Sequence, residues 1–163
     1  MNIDDTLDCL LHSYQRYYDI STEDVEQPFC ARAVFLSHSE QYFLIKAAKV
    51  ADIDSNEYVY FAKCDNLSED YLKELSVKAW ELGTSKVVPS YGHRNTDVTV
   101  YVVANSIDEK AVKATKKISY SKSYRMGMYG WSSFRLVTID CSSQKAFYNR
   151  RGRILKNVVS NIY

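Results

Sequence analysis

Apolar residues open this chain on a helical period. Ile3, Leu7, Leu10, Leu11, Tyr14 and Tyr18 recur every three to four positions, and Asp4, Asp5 and Asp8 crowd the start, where the positive end of a helix dipole favours carboxylates. The spacing predicts a first helix over 3–18. A polar stretch at 21–27 ends at Pro28, and the period then shortens. Segments 29–36, 42–51 and 58–63 are rich in aromatic and β-branched side chains and are separated by polar breaks at 37–40 and 52–56, which predicts three strands in two hairpins.

Ser68 precedes an acidic first turn, and Leu72, Leu75, Ala79 and Leu82 form the stripe of a second helix, with Gly83 placed to end it in a left-handed conformation. A loop at 84–95, holding Pro89, Gly92 and His93, leads to 98–103. That segment is apolar on both faces, so it belongs at the centre of a sheet. Ser106 and Glu109 read as a capping box ahead of Ala111, Val112 and Ala114, a short third helix. From 118 to 126 the even positions are Ile, Tyr, Lys, Tyr and Met and the odd ones Ser, Ser, Ser and Arg, the alternation of a strand with one core face. Gly127 and Gly130 bracket a turn, 134–139 reads as a further strand, and 141–143 is a tight connection into 145–148. Ile154, Leu155, Val158, Val159 and Ile162 close the chain as an amphipathic helix. Runs of adjacent strands in place of strict βα alternation predict an α+β fold: one domain over 1–163, a mixed, largely antiparallel sheet and four helices, in the order α-β-β-β-α-β-α-β-β-β-α.

A chain of 163 residues with 46% hydrophobic and 25% charged positions is long enough for one real core, and its 14 tyrosines suit half-buried sheet faces and contact surfaces alike. Cys9, Cys30, Cys64 and Cys141 form no C-x-x-C pair and have no zinc-ligand spacing to histidine, which predicts reduced thiols and no metal. No apolar run approaches the roughly 18 residues of a membrane span, and the start has no leader pattern. A cytoplasmic protein with no membrane partner is expected. Charge, by contrast, is sorted: residues 1–83 hold 16 Asp and Glu against 7 Lys and Arg, and 84–163 hold 4 against 14. Such asymmetry points to an anionic partner or to complementary surfaces of one folded molecule.

Lys116, Lys117, Lys122 and Arg125 interleave with Tyr120 and Tyr124, a composition suited to phosphate contact and base stacking, and Arg150 and Arg151 begin a second cluster with Arg153 and Lys156. The strand pattern points both tyrosines to the core, however, and cations at a helix start oppose its dipole unless an anion compensates them. A protein partner or self-association is therefore favoured over nucleic acid. His93 and Arg94 are loop candidates, since binding residues concentrate on loops. His38, beside Ser37, reads as an exposed turn residue and His12 as a solvated helix residue. No Walker A, G-x-S-x-G, H-E-x-x-H or G-x-G-x-x-G motif occurs, and no cofactor is indicated.

The order helix, three strands, helix, strand is similar to the core of PD-(D/E)xK nucleases. That resemblance implies an acid near the second strand and an acid-x-Lys on the third, two carboxylates holding Mg²⁺ while the lysine polarises water and phosphate. Glu40 opens the second predicted strand. On the third, Phe61-Ala62-Lys63 keeps the lysine without the acid, and Glu57-Tyr58-Val59 keeps the acid without the lysine. A degenerate or atypical nuclease, or a nucleic-acid-binding domain, built on Glu40, Glu57 and Lys63 is the alternative to a non-catalytic interaction module with no catalytic residues.

Glu57-Tyr58-Val59-Tyr60-Phe61, Tyr129-Gly130-Trp131 followed by Phe134, and Asn149-Arg150 with Gly152 resemble a family of small uncharacterised Firmicute proteins, a domain of unknown function. The resemblance covers nearly the whole chain. It implies a compact cytoplasmic bacterial domain and carries no activity; Gly130 and Trp131 then read as a glycine turn followed by a core anchor.

Overall fold

A computed structural model describes residues 1–37, 54–89 and 93–163, without the side chains of Asp54, His93 and Arg94. The elements run α1 (Ile3–Tyr14), β1 (Asp19–Ser21), β2 (Ala31–Leu36), β3 (Asp54–Leu67), α2 (Glu69–Ser85), β4 (His93–Ile107), α3 (Glu109–Lys117), β5 (Ser121–Ser123), β6 (Trp131–Asp140), β7 (Lys145–Tyr148) and α4 (Lys156–Ser160). The α+β class and the element order are those the sequence predicts. The predicted strand 42–51 lies outside the described residues, and β1, three residues in a stretch too short and polar to show a period, is a strand the sequence did not predict.

Among the described residues the sheet is open, mixed and seven-stranded, in the order β1-β2-β3-β4-β6-β5, with β7 also on β6. The pairs β1/β2, β2/β3, β5/β6 and β6/β7 are antiparallel. The two longest ladders, β3/β4 and β4/β6, are parallel, because α2 carries the chain from β3 back to the start of β4 and α3 leads on towards β5 and β6. β4 is central, as its doubly apolar run requires, with Val98, Val100, Tyr101, Val102 and Val103 all inaccessible. Even positions (Tyr58, Tyr60, Ala62, Val98, Val100, Val102, Phe134, Leu136) pack with Leu72, Leu75 and Ala79 of α2 and Ala111 of α3. Odd positions (Val59, Phe61, Tyr101, Val103, Val137, Ile139) pack with Leu7, Leu10 and Tyr14 of α1 and Val159 of α4. The period-2 alternation of each inner strand thus feeds two cores, one on either face of the sheet.

Local chemistry explains where the elements end. Asn2 caps α1 by accepting the Asp5 amide at 2.8 Å, and Ser68 caps α2 by accepting the Tyr71 amide at 3.2 Å. Helix α1 stops at Tyr14 and not at residue 18, because the chain turns there to deliver Tyr18 to the sheet face and Asp19 to β1. Gly83 lies inside α2 and does not terminate it. Its absent side chain serves packing: a Cβ there would stand 2.4 Å from Val98 Cγ2. Ser106 does not cap α3, since it is still in β4 and donates to Asn66 Oδ1 at 2.7 Å; the cap position falls to Asp108. The predicted strand at 118–126 contracts to β5, with Tyr124 buried and Met126 fully exposed. Trp131, expected as a core anchor, is 43% exposed. The closing helix is a 3₁₀ turn, Arg151–Leu155, followed by the short α4.

The outer edge of β6 is shared between three segments. β5 pairs with residues 131–133 and β7 with 137–140, and the gap is filled by a side chain. Asn149 Oδ1 accepts from the Leu136 amide at 2.9 Å and the Gly152 amide at 2.8 Å, and its Nδ2 donates to the Phe134 and Ile118 carbonyls at 3.1 and 3.0 Å. Gly152 is required beside it, because a Cβ would lie 2.6 Å from the Leu136 carbonyl oxygen.

Candidate functional site

Three strands place a charge in core phase. Glu57 shares its face with Val59 and Phe61, Asp97 with Thr99 and Tyr101, and Arg135 with Val137 and Ile139; the register aligns Glu57 with Asp97, Asp97 with Ser133, and Thr99 with Arg135. The three charges therefore converge near the starting ends of the parallel strands. Arg135 bridges the carboxylates, with Nη2 2.9 Å from Asp97 Oδ2 and Nη1 3.6 Å from Glu57 Oε1. Glu57 also accepts from the Thr99 hydroxyl at 3.0 Å and from the Tyr18 hydroxyl, and Asp97 accepts from Asn95 Nδ2 at 3.1 Å, whose Oδ1 takes the Ser55 hydroxyl at 2.9 Å. Burial raises the proton affinity of Glu57 against the opposing pull of Tyr18, Arg135 and Thr99. It raises that of Asp97 too, against Arg135, the Ser133 hydroxyl, Arg151 and Asn95. Burial and the neighbouring Glu57 push the Tyr18 phenol well up. Removing one member of such a buried pair strands its partner and costs about 3–5 kcal/mol.

The cluster is internally satisfied. Among the described residues the buried side-chain polar atom left without a partner is Arg32 Nε, on β2 and outside this network. A guanidinium fills the space between the carboxylates, and the hydrogen bonds run from the segment after α1 into β3, β4 and β6. Its chemistry is that of a latch joining four segments. Asp97 and Arg135 escaped the sequence reading. A charge standing at an inward position of an otherwise apolar strand was the available signal.

Of the residues of the nuclease alternative, Glu57 and Lys63 are not brought together. Lys63 lies six positions along the same strand, roughly 20 Å away at the rise of an extended chain, and donates to Asp4 Oδ1 at 3.0 Å. Glu40 and His38 lie outside the described residues. His93 and Arg94 form the first residues of β4 and not a loop, and their side chains are outside the description. No group of three His, Cys, Asp or Glu among the described residues is arranged to hold a metal. All four cysteines are free, and burial pushes the Cys64 thiol up to about 11, which leaves it protonated and unreactive at neutral pH.

The six cationic candidates are all exposed, and among the described residues none of them forms an ion pair. They stand in three places. Lys116 and Lys117 end α3, where the helix dipole favours cations, with Lys116 over the Phe147 ring at 5.9 Å. Arg150 and Arg151 follow β7, and Arg151 is near enough to Asp97 to lower its proton affinity. Lys122 and Arg125 flank the β5–β6 connection, lying over the Tyr124 and Tyr129 rings at 5.4 and 5.3 Å. The opposite charges of the two chain halves do meet in Arg135–Glu57 and Lys86–Glu26. These six cations face water instead.

The β5–β6 connection is shaped by unusual backbone. Arg125 and Met126 both have positive φ, 50° and 53°, followed by Gly127 at 89° and Gly130 at 82°. Left-handed conformation costs an ordinary residue about 1–2 kcal/mol. Backbone bonds hold the turn: the Tyr124 amide donates to the Gly130 carbonyl and the Tyr129 amide to the Tyr124 carbonyl, both at 3.0 Å, and the Tyr124 hydroxyl is bonded to Ser132 Oγ at 2.9 Å. The product is a hydrogen-bonded tip that shows water Met126, Met128 and Trp131 beside Lys122 and Arg125.

Fold and sites together define an α+β domain with an open mixed sheet, a buried ionic latch and a cationic, apolar-tipped hairpin. The chain belongs to the family described as a domain of unknown function, DUF8052, whose model matches residues 2–161. No curated protein and no solved structure matches it. Among the described residues no helix is long and apolar enough to cross a membrane.

Proposed function

We infer that the protein is a non-catalytic interaction module of the bacterial cytoplasm, which recognises an acidic protein surface, or a second copy of itself, through charge. The observation that carries this reading is the β5–β6 hairpin. Strained, left-handed backbone is held in place to expose apolar side chains beside two cations that form no ion pair among the described residues, an arrangement that costs stability and contributes nothing to either core. Lys116, Lys117, Arg150 and Arg151 add long-range attraction for an anionic surface, and the apolar tip supplies the contact. Four unpaired thiols agree with a reducing compartment.

The test uses a fluorescein-labelled poly-glutamate peptide as the acidic polypeptide, with single-stranded and duplex oligonucleotides as the nucleic-acid probes. Anisotropy is read at about 10 mM and about 150 mM salt, between which the screening length falls from about 30 Å to about 8 Å. The expected result is peptide binding that weakens with salt and is lost in the variant Lys122→Glu/Arg125→Glu. Oligonucleotide binding tighter than peptide binding makes nucleic acid the partner. Absence of both at low salt overturns the reading.

A further inference from the structure

The outer face of α2 carries the counterpart of the hairpin. Asp70, Glu74, Val77 and Glu81 are spaced by four, three and four residues, which places them in one stripe along the helix. All four are exposed, Val77 at 43%, and with Lys73 and Lys78 they line a shallow groove. Lys73 is engaged by Glu69 at 2.8 Å, so its charge is spent within its own helix. Among the described residues Asp70, Glu74 and Glu81 form no ion pair, and Lys78 alone offsets them. The groove is thus a net-negative rim around an apolar floor. The hairpin is its inverse, a cationic rim formed by Lys122 and Arg125 around an apolar tip of Met126, Met128 and Trp131.

We propose that the hairpin of one copy docks on the α2 stripe of a second copy, Met126 and Trp131 meeting Val77 while Lys122 and Arg125 meet Asp70, Glu74 and Glu81. This rests on the reading of the hairpin as the contact surface and names its occupant. The contact joins two different patches, so each copy offers one hairpin and one stripe, and association ends in a two-fold pair or a ring that occupies both, or grows as a chain of copies. Both partners are desolvated at an apolar centre with the charges at the rim, where they set orientation and rate more than final affinity.

Sedimentation velocity over a concentration series decides the matter. At about 10 mM salt the wild-type sedimentation coefficient rises with concentration, and at about 150 mM the rise shrinks. Lys122→Glu/Arg125→Glu and, separately, Asp70→Lys/Glu74→Lys/Glu81→Lys each lower the association constant by at least about tenfold. All five positions are exposed, so an unchanged far-UV spectrum verifies that both variants fold. An equimolar mixture of the two restores association, because the reversed hairpin of one meets the reversed stripe of the other. A wild-type protein that stays monomeric up to hundreds of micromolar at low salt overturns the second-copy contact; if poly-glutamate still binds, the acidic-partner reading stands without it. Association that persists in both variants, or that the mixture does not restore, places the self-contact elsewhere and equally overturns the proposal.

Discussion

Truncating Asn149 to alanine removes four hydrogen bonds from the interior at once. The Leu136 and Gly152 amides lose their acceptor and the Ile118 and Phe134 carbonyls lose a donor. Asn149 is 1% exposed, so water is not at hand to replace them. An unsatisfied buried group costs about 1–3 kcal/mol, the amides weighing more than carbonyls with a second lone pair, which gives a loss of about 3–5 kcal/mol. For a chain of this length that lowers Tm by on the order of 10 °C. Asn149→Asp sharpens the test, since it preserves shape and both acceptor bonds while aiming an oxygen at two carbonyls and burying a charge. It is expected to cost as much as Asn149→Ala. Urea unfolding followed by circular dichroism measures both, with an unchanged m-value as the check that the midpoint reports stability. If both variants unfold within 1 kcal/mol of wild type, or if the aspartate is tolerated and the alanine is not, the side chain is not bridging the β6 edge as described.

Gly83→Ala is expected to destabilise by about 1–3 kcal/mol despite alanine's better helix propensity, through collision with the stiff Val98, and the double variant with Val98→Ala to cost less than the sum of the two; additive losses would refute the contact. Glu57 has a raised proton affinity in the folded state, so its contribution to stability is full below the unfolded carboxylate value and is lost as pH rises through the folded one. Glu57→Gln should flatten that decline, and parallel wild-type and variant stability curves from mildly acidic to neutral pH would contradict it. Met126→Gly relieves left-handed strain of about 1–2 kcal/mol, partly offset by glycine's chain entropy, and buries or exposes nothing in the core. It should raise Tm slightly while weakening association, and a lower Tm counts against the strain.

Inner strands and helix starts were legible because one period or one cap residue decides them: the doubly apolar run at 98–103, the Ser68 cap and the Asp4–Asp5 first turn read directly onto the structure. What failed depended on a partner far along the chain. Gly83 was read for its backbone freedom, whereas Val98 dictates it. Alternation at 118–126 ran past the true strand because nothing local records that Arg125 and Met126 turn left-handed. The ionic latch had one visible member, Glu57, and was taken with Lys63 on the same strand; its real companions, Asp97 and Arg135, lie 40 and 78 positions on, brought near only by the parallel register. Sorting of charge was legible, but its meaning was not. Among the described residues two bridges join the halves within one molecule, while the hairpin cations and the α2 acids face water.

The divided outer edge of β6 bears on how the protein behaves when crowded. A long bare strand is a template on which foreign chains can crystallise into fibrils, and β6 spans ten residues. Its peptide groups are instead occupied by β5, by Asn149 and by β7, and the strands that then face outward are three and four residues long, as β1 is at the opposite border. Along this border of the described residues, an intruding segment finds too few consecutive partners to nucleate. Concentrated solutions should therefore seed little amyloid, and an Asn149 variant that loosens this seam would be the first to thicken or bind thioflavin on storage.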